Sequence, residues 1–200
     1  MVNILAFSDI HRTLKDQEQE AIKPKIDGAD IVITLGDILK ETLQIIAEQS
    51  PLPILSVRGC YDDYCLDGIP NIINMHRKVI EVNGLKIAGL DGRASDNQGI
   101  NLKGFSRIEK DTLIPLDRLP KVDVMMSHFN PLYFRAKSCI PDQMPQTLAE
   151  LLESKEAPRV SISGQIHRNI ERTYAGVRLI SVYTPVMPLD NFGRLIELSK

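Results

Sequence analysis

Asp9 and His11 are two residues apart. In extended chain such residues point the same way, so this carboxylate and imidazole can face one cation. Groups of the same chemical kind recur in Gly36-Asp37, in Arg58-Gly59-Cys60-Tyr61-Asp62, at His128, and in Gly164-Gln165-Ile166-His167. Mixed carboxylate and imidazole ligation suits Mn, Fe, Zn or Co better than Ca, which prefers oxygen alone. Three of the chain's 4 histidines lie in these segments; the fourth, His76, does not. Each segment alone has an ordinary explanation. Asp37 could cap a helix starting at Ile38, His128 could be a loop histidine, and Gly164 and His167 could mark a turn. Their order along the chain, each at the end of an apolar run, favours a metal centre.

Those runs are the elements that must position the groups. Val2–Phe7, Asp30–Leu35 and Pro53–Val57 are continuous and rich in Ile, Val and Leu, as buried parallel strands are. Ile38–Gln49 carries a helical stripe of Ile38, Leu39, Thr42, Leu43, Ile45 and Ile46. Leu14 to Ile22 is a weaker helix closed by Pro24. This β-α-β-α-β order predicts a parallel sheet with right-handed crossovers. Lys78–Val82 and Leu85–Leu90 flank Asn83-Gly84, a hairpin signal. Asp91 to Pro120 reads as long loops. Val122–Ser127 resumes as a strand, and a helix near Gln146–Lys155 follows with Thr147-x-x-Glu150 as a capping box. Val160–Ser163, Ile170–Tyr174, Arg178–Val182 and Arg194–Leu198 form a strand-rich second half, with Ala175-Gly176 turning an antiparallel pair. In open α/β sheets ligands gather outside the carboxyl ends of strands, and five of these runs end on metal-ligand types.

Composition narrows the partners. The chain has 200 residues, 43% hydrophobic and 25% charged, with net charge −2. That is too apolar and too weakly charged for a disordered chain. A single domain over 1–200 is the default at this length, and it buries enough surface to fold without a structural metal. The balance argues against a dedicated nucleic-acid binder, which carries a strongly basic face. No apolar run approaches a membrane span, and the N-terminus lacks the basic region and cleavage site of a signal peptide. Cys60, Cys65 and Cys139 show no metal-ligand repeat, so reduced thiols in a cytoplasm are expected.

The motifs in this order resemble the calcineurin-like metallophosphoesterases, whose pattern is Asp-x-His, Gly-Asp, Gly-Asn-His-Asp, a lone His, then Gly-His-x-His. The resemblance runs from residue 9 to residue 167. The small size and the Val57-Arg58-Gly59 lead-in look most like compact members, including bacterial cyclic-nucleotide-type phosphodiesterases and the catalytically silent retromer subunit. The resemblance implies an α/β fold, a four-layer β-sandwich of two mixed sheets flanked by helices. It also implies hydrolysis of a small phosphate ester, as phosphodiesterase or phosphatase, by metal-activated hydroxide. Carried over by position, the first divalent ion (Mn, Zn, Fe or Ni) would be held by Asp9, His11, Asp37 and His167. Asp37 would bridge to a second ion, whose other positions read Cys60, His128 and Gln165.

The departures fall on that second ion. Cys60 stands for an Asn, Gln165 for a His, and Tyr61 for the catalytic His. A thiolate at Cys60 would favour Zn over Mg or Mn; the other reading of Cys60 is a small buried hydrophobe. A Tyr61 phenol can donate a proton to a leaving alkoxide but brings no positive charge. Arg58, Arg12 and Arg168 neighbour the motifs and could contact phosphate, Arg58 being the candidate substrate residue, or they could be solvated surface. Arg135 and Lys137 are weaker candidates, as is Asp91-Gly92-Arg93, which ends a strand and could approach the site. The competing function is a weak or inactive binding or scaffold protein, with a protein partner in place of a phosphorylated substrate.

Overall fold

A computed structural model describes residues 1–76, 78–92, 121–131, 150–184 and 192–199. Among these, eleven strands and two helices described from end to end follow one another as β1 (Val2–Phe7), α1 (Asp16–Asp27), β2 (Ile31–Thr34), α2 (Lys40–Gln49), β3 (Ile54–Ser56), β4 (Ile72–Asn74), β5 (Val79–Val82), β6 (Leu85–Leu90), β7 (Val124–Ser127), β8 (Val160–Ser163), β9 (Ile170–Tyr174), β10 (Val177–Ser181) and β11 (Arg194–Leu198). They make two mixed sheets, β11-β1-β2-β3-β4 and β5-β6-β7-β8-β10-β9. β1 to β4 run parallel with β11 antiparallel. In the second sheet β6, β7, β8 and β10 run parallel, with antiparallel β5 and β9 on the edges.

Side-chain alternation explains the layering. Val2, Ile4 and Ala6 of β1 face Ile87, Val124, Met126, Ile162 and Ile180 of the other sheet in one buried core. The odd residues Leu5 and Phe7 face the opposite way, onto Ile22 and Ile26 of α1 and Leu43 and Ile46 of α2. Apart from the half-buried Asn3, each β1 residue thus serves a core on its own side, which is why the run is almost wholly apolar. On the far face of the six-stranded sheet, Leu151 packs against Ala88 and Met125. Both hairpin signals form: Asn83 and Gly84 have φ of 52° and 78°, and Ala175 and Gly176 have 49° and 82°, as two-residue primed turns require.

Three expectations change. α1 runs through Pro24 to Asp27 instead of closing before it. Pro24 lies on the exposed face, where the carbonyl it leaves unbonded can meet water, and the wholly buried Ile26 holds the last turn down. α2 begins at Lys40 with Leu39 at its cap, so Asp37 is not a helix cap. β4 is an added edge strand, only three residues long and half-buried, too short for a periodic signal. The expected helix near 146–155 is seen over 150–153; its start and Thr147 lie outside the described residues, as do residues 93–120. Among the described residues, no helix is long and apolar enough to cross a membrane.

Register is what matters for the site. Phe7 pairs with Thr34 and Thr34 with Ser56, so β1, β2 and β3 end level. Leu90, Ser127, Ser163 and Ser181 likewise form one row across β6, β7, β8 and β10. The loops that leave these two level rows are stitched together across the sheets. Gly92 N donates to Arg58 O at 2.7 Å, and Thr184 N donates to Ser8 O at 3.1 Å.

Candidate metal centre

Two clusters of ligand-type atoms lie where these rows end. Asp9, His11 and His167 form one; Asp37, Cys60 and His128 form the other. In each, the ligand atoms lie within 4.8 Å of one another. His167 Nε2 is 3.3 Å from Asp9 Oδ1, and His11 Nε2 is 3.4 Å from His167 Nε2. His128 Nε2 is 3.3 Å from Asp37 Oδ2.

The supports around them leave selected atoms bare. Ser8 Oγ and the Gln165 backbone N–H both donate to Asp9 Oδ2, at 2.7 and 3.0 Å, which fixes Oδ1 toward the cluster. The His128 Nδ1 is 2.8 Å from the Leu35 carbonyl. A proton there turns Nε2 inward, the orientation that ligating histidines take from a carbonyl behind them. Tyr61 N donates to Asp37 Oδ1 at 2.8 Å. Asp9 Oδ1, His128 Nε2 and Gln165 Oε1 are buried with no hydrogen-bond partner among the described residues. Buried polar atoms are seldom left so, and a cation satisfies all three kinds. The donor set, with carboxylate, imidazole, thiol and amide oxygen, fits a divalent transition ion.

The electrostatics have the same sense. Burial pushes the Asp37 carboxyl up, but His128 and the Tyr61 N–H outweigh it and hold it below its ordinary value. Burial pushes His128 down, yet Asp37 and then Cys60 carry it well above the usual range.

Backbone strain is concentrated here. Of the seven non-glycine residues with positive φ among the described residues, four are Asp9, Asp37, Gln165 and His167, at 59°, 54°, 68° and 47°. Such conformations cost of order 1–3 kcal/mol and cluster at functional sites. Asp62, which sequence reading noted without a role, organises two of these loops. Its buried carboxylate accepts from the N–H groups of Asp37, Ile38 and Gly59 at 2.9, 3.1 and 2.7 Å. Burial, opposed by the Gly59 N–H and reinforced by the Asp37 charge, pushes this carboxyl up to about 6.

The glycine beside it is a spacer. A Cβ on Gly59 would lie 2.1 Å from Asp37 Oδ1 and 2.4 Å from Asp37 N. Gly59→Ala should therefore lower stability by about 1–3 kcal/mol, as overpacking does, and weaken Mn²⁺ binding as Asp37 is displaced. Denaturation midpoints and metal titration of the same sample check both; unchanged values would mean the loop gives way freely.

Two of the candidate arginines make ion pairs within the protein. Arg58 donates Nε to Asp91 Oδ2 and its backbone N–H to Asp91 Oδ1, both at 2.8 Å. Arg12 is forked onto the buried Glu18, and its loop is tied to α2 by Thr42 Oγ1. Arg168 is exposed beside His167; Arg93, Arg135, Lys137 and Cys139 lie outside the described residues. Cys60 is exposed and free, which removes its reading as a small buried hydrophobe. Tyr61 is 79% exposed, with its ring edge-on to His11 at 5.8 Å. Asp91, which the sequence offered as a residue able to approach the site, follows the end of β6, and Tyr183, not legible there as a site residue, lies two residues past the end of β10.

Comparison with known proteins agrees with this architecture. Residues 2–188 match the family model described as the calcineurin-like phosphoesterase superfamily domain. No curated protein matches by sequence. The structure of TT1561 from Thermus thermophilus is similar at 16% identity over 90% of this chain and 88% of that one, with TM-score 0.57. Phosphopantetheinyl hydrolase from Mycobacterium tuberculosis is similar at 13% identity, over 90% and 89%, with TM-score 0.51. Vacuolar protein sorting 29 from Cryptosporidium parvum is similar at 11%, over 94% and 80%, again with TM-score 0.51. At these identities the likeness is one of fold.

Proposed function

We propose, from the premise that the chain belongs to the calcineurin-like phosphoesterase superfamily, a metal-dependent hydrolase of small phosphate esters that works as one domain over residues 1–200. The observation that carries this reading is the convergence of two ligand clusters in which the buried Asp9 Oδ1 and His128 Nε2 have no hydrogen-bond partner among the described residues; the buried Gln165 Oε1 has none either. Asp9, His11, Asp37 and His167 would hold a first divalent ion, and Asp37, Cys60, His128 and Gln165 would hold a second. When bound, such ions supply Lewis acidity toward phosphoryl oxygens and an acidified water. The chain's own groups do the positioning: Ser8 and the Gln165 N–H hold Asp9, Leu35 orients His128, and Asp62 fixes the Asp37 loop. Tyr61 stands at the rim, where its phenol can give a proton to the leaving alkoxide. Arg58, held by Asp91 through its Nε, is the candidate contact to the substrate phosphate. Free, exposed Cys60 and Cys65 support a reducing, cytoplasmic setting.

The second shell sets the metal. Sulfur at Cys60 favours zinc over Mn²⁺ or Mg²⁺ there. Protein purified without chelator should carry bound transition metal, and Mn²⁺ should stimulate hydrolysis of an activated phosphodiester that EDTA suppresses. Cobalt-loaded protein should show a sulfur-to-cobalt charge-transfer band that Cys60→Ser removes. A wild-type spectrum without that band takes Cys60 out of the shell. Metal bound with no turnover supports the second reading, a binding or scaffold protein, which Tyr61 and Gln165 at the positions of two family histidines favour.

A further inference from the structure

We infer that Tyr183 and Asn169 are positioning residues for the first metal cluster, acting through His167; the inference rests on the metal reading of that cluster. The Tyr183 ring is stacked on the His167 imidazole, with centroids 5.1 Å apart and planes at 13°. His167 needs such a brace. Its φ is 47°, its side chain is 52% exposed, and among the described residues no hydrogen bond to a carbonyl or carboxylate is seen behind its ring. His128, the buried imidazole of the other cluster, is instead oriented by the Leu35 carbonyl. The stack supplies on an open face what that hydrogen bond supplies in the interior.

The brace is itself anchored. The Asn169 amide holds the Tyr183 backbone from both sides, donating Nδ2–H to Tyr183 O at 3.0 Å and accepting from Tyr183 N at 2.9 Å. The flanking residues are tied to the level row of strand ends. Val182 N donates to Ser163 O at 2.7 Å. Thr184, buried, exchanges two bonds with Ser8, donating its N–H to Ser8 O and accepting from Ser8 N through Oγ1, both at 3.1 Å. Ser8 in turn donates Oγ–H to Asp9 Oδ2. Residues 182–184 therefore brace two ligands of one cluster, Asp9 through Thr184 and Ser8, and His167 through Tyr183. Strap and His167 hang on the same two parallel strands, β8 and β10, whose ends are in register at Ser163 and Ser181.

The test is Mn²⁺ affinity of the full chain by titration calorimetry, with metal-free thermal stability as the control for folding. Tyr183→Ala should weaken Mn²⁺ binding about 10-fold, the lower end of what removing a ligand's outer support costs. Tyr183→Phe, which keeps the ring, should bind as the wild type does, and Asn169→Ala, which keeps the ring but frees its backbone, should fall between. In the metal-free protein, Tyr183→Ala should also shift the His167 ring C–H resonances as the stacked ring is lost. Wild-type affinity in a folded Tyr183→Ala, or equal losses in the Ala and Phe variants, overturns the inference alone. Unmoved His167 resonances overturn it whatever the metal does. Should the wild type bind no Mn²⁺, the metal reading itself falls, and this assignment with it.

Discussion

Asp37→Asn is expected to abolish metal-dependent hydrolysis while leaving the protein folded. The two carboxylate oxygens have separate duties. Oδ1 accepts the Tyr61 backbone N–H, and Oδ2 lies 3.3 Å from His128 Nε2. An Asn carbonyl keeps the first duty, so the Cys60–Tyr61 loop stays in place. It gives up the negative charge and sets an amide N–H or a weak acceptor against the second cluster. Because Asp37 is proposed to contact both ions, one substitution removes several kcal/mol of charge stabilisation. That corresponds to a rate loss of about 10³-fold or more. The protein should still fold, at some cost. Asp37 is buried at 4% exposure; neutralising it removes its repulsion of the Asp62 carboxyl but also its attraction for His128, so a lower metal-free melting temperature is expected. Mn²⁺-stimulated turnover of an activated phosphodiester, with metal-free melting temperature as control, checks both halves. Undiminished turnover in the Asn variant would place the hydrolysis in another site or in a contaminating phosphatase.

The parts legible in the sequence were those set by local pattern. Continuous apolar runs marked β1, β2, β3, β7 and β8, and the groups that closed them were the groups that meet at the strand ends. Parallel register then levelled Phe7 with Thr34 and Ser127 with Ser163, so local order became spatial convergence. The illegible parts depend on partners far apart in the chain. Nothing local to Arg58 announces Asp91, 33 residues on, as the taker of its Nε. Nothing near Tyr183 announces the His167 ring. Pro24 misled for a related reason: its local helix-breaking effect is real, but the burial of Ile26 outweighs it. The two-sheet layering came from resemblance to a family, because periodicity cannot tell which apolar runs share a sheet.

Restoring the family residues at the altered second shell should raise activity. Cys60→Asn and Gln165→His rebuild an amide and imidazole shell beside His128, and Tyr61→His returns an imidazole acid. The structure makes the three changes tolerable. Cys60 is exposed and Tyr61 is 79% exposed, so neither supports a core. The contact Tyr61 makes to Asp37 is through its backbone N–H, which a His retains. Gln165 has φ of 68°, a region in which His is enriched relative to most residues, and its own Oε1 has no hydrogen-bond partner among the described residues to lose. The gains should be non-additive, since an imidazole acid helps little until the second ion is held. The triple variant should bind close to two metal ions per chain. It should hydrolyse an activated phosphodiester at least about 10-fold faster than the wild type, below what general acid–base help commonly supplies. Cys60→Asn alone should move metal preference away from zinc without much gain in rate, because the thiolate is replaced but the acid is not. Two bound metals with no gain would favour the scaffold reading, in which the fold has kept its ligand cluster without a productive approach for substrate. Failure to gain a second metal would instead show that Cys60 and Gln165 do not share a shell with Asp37 and His128.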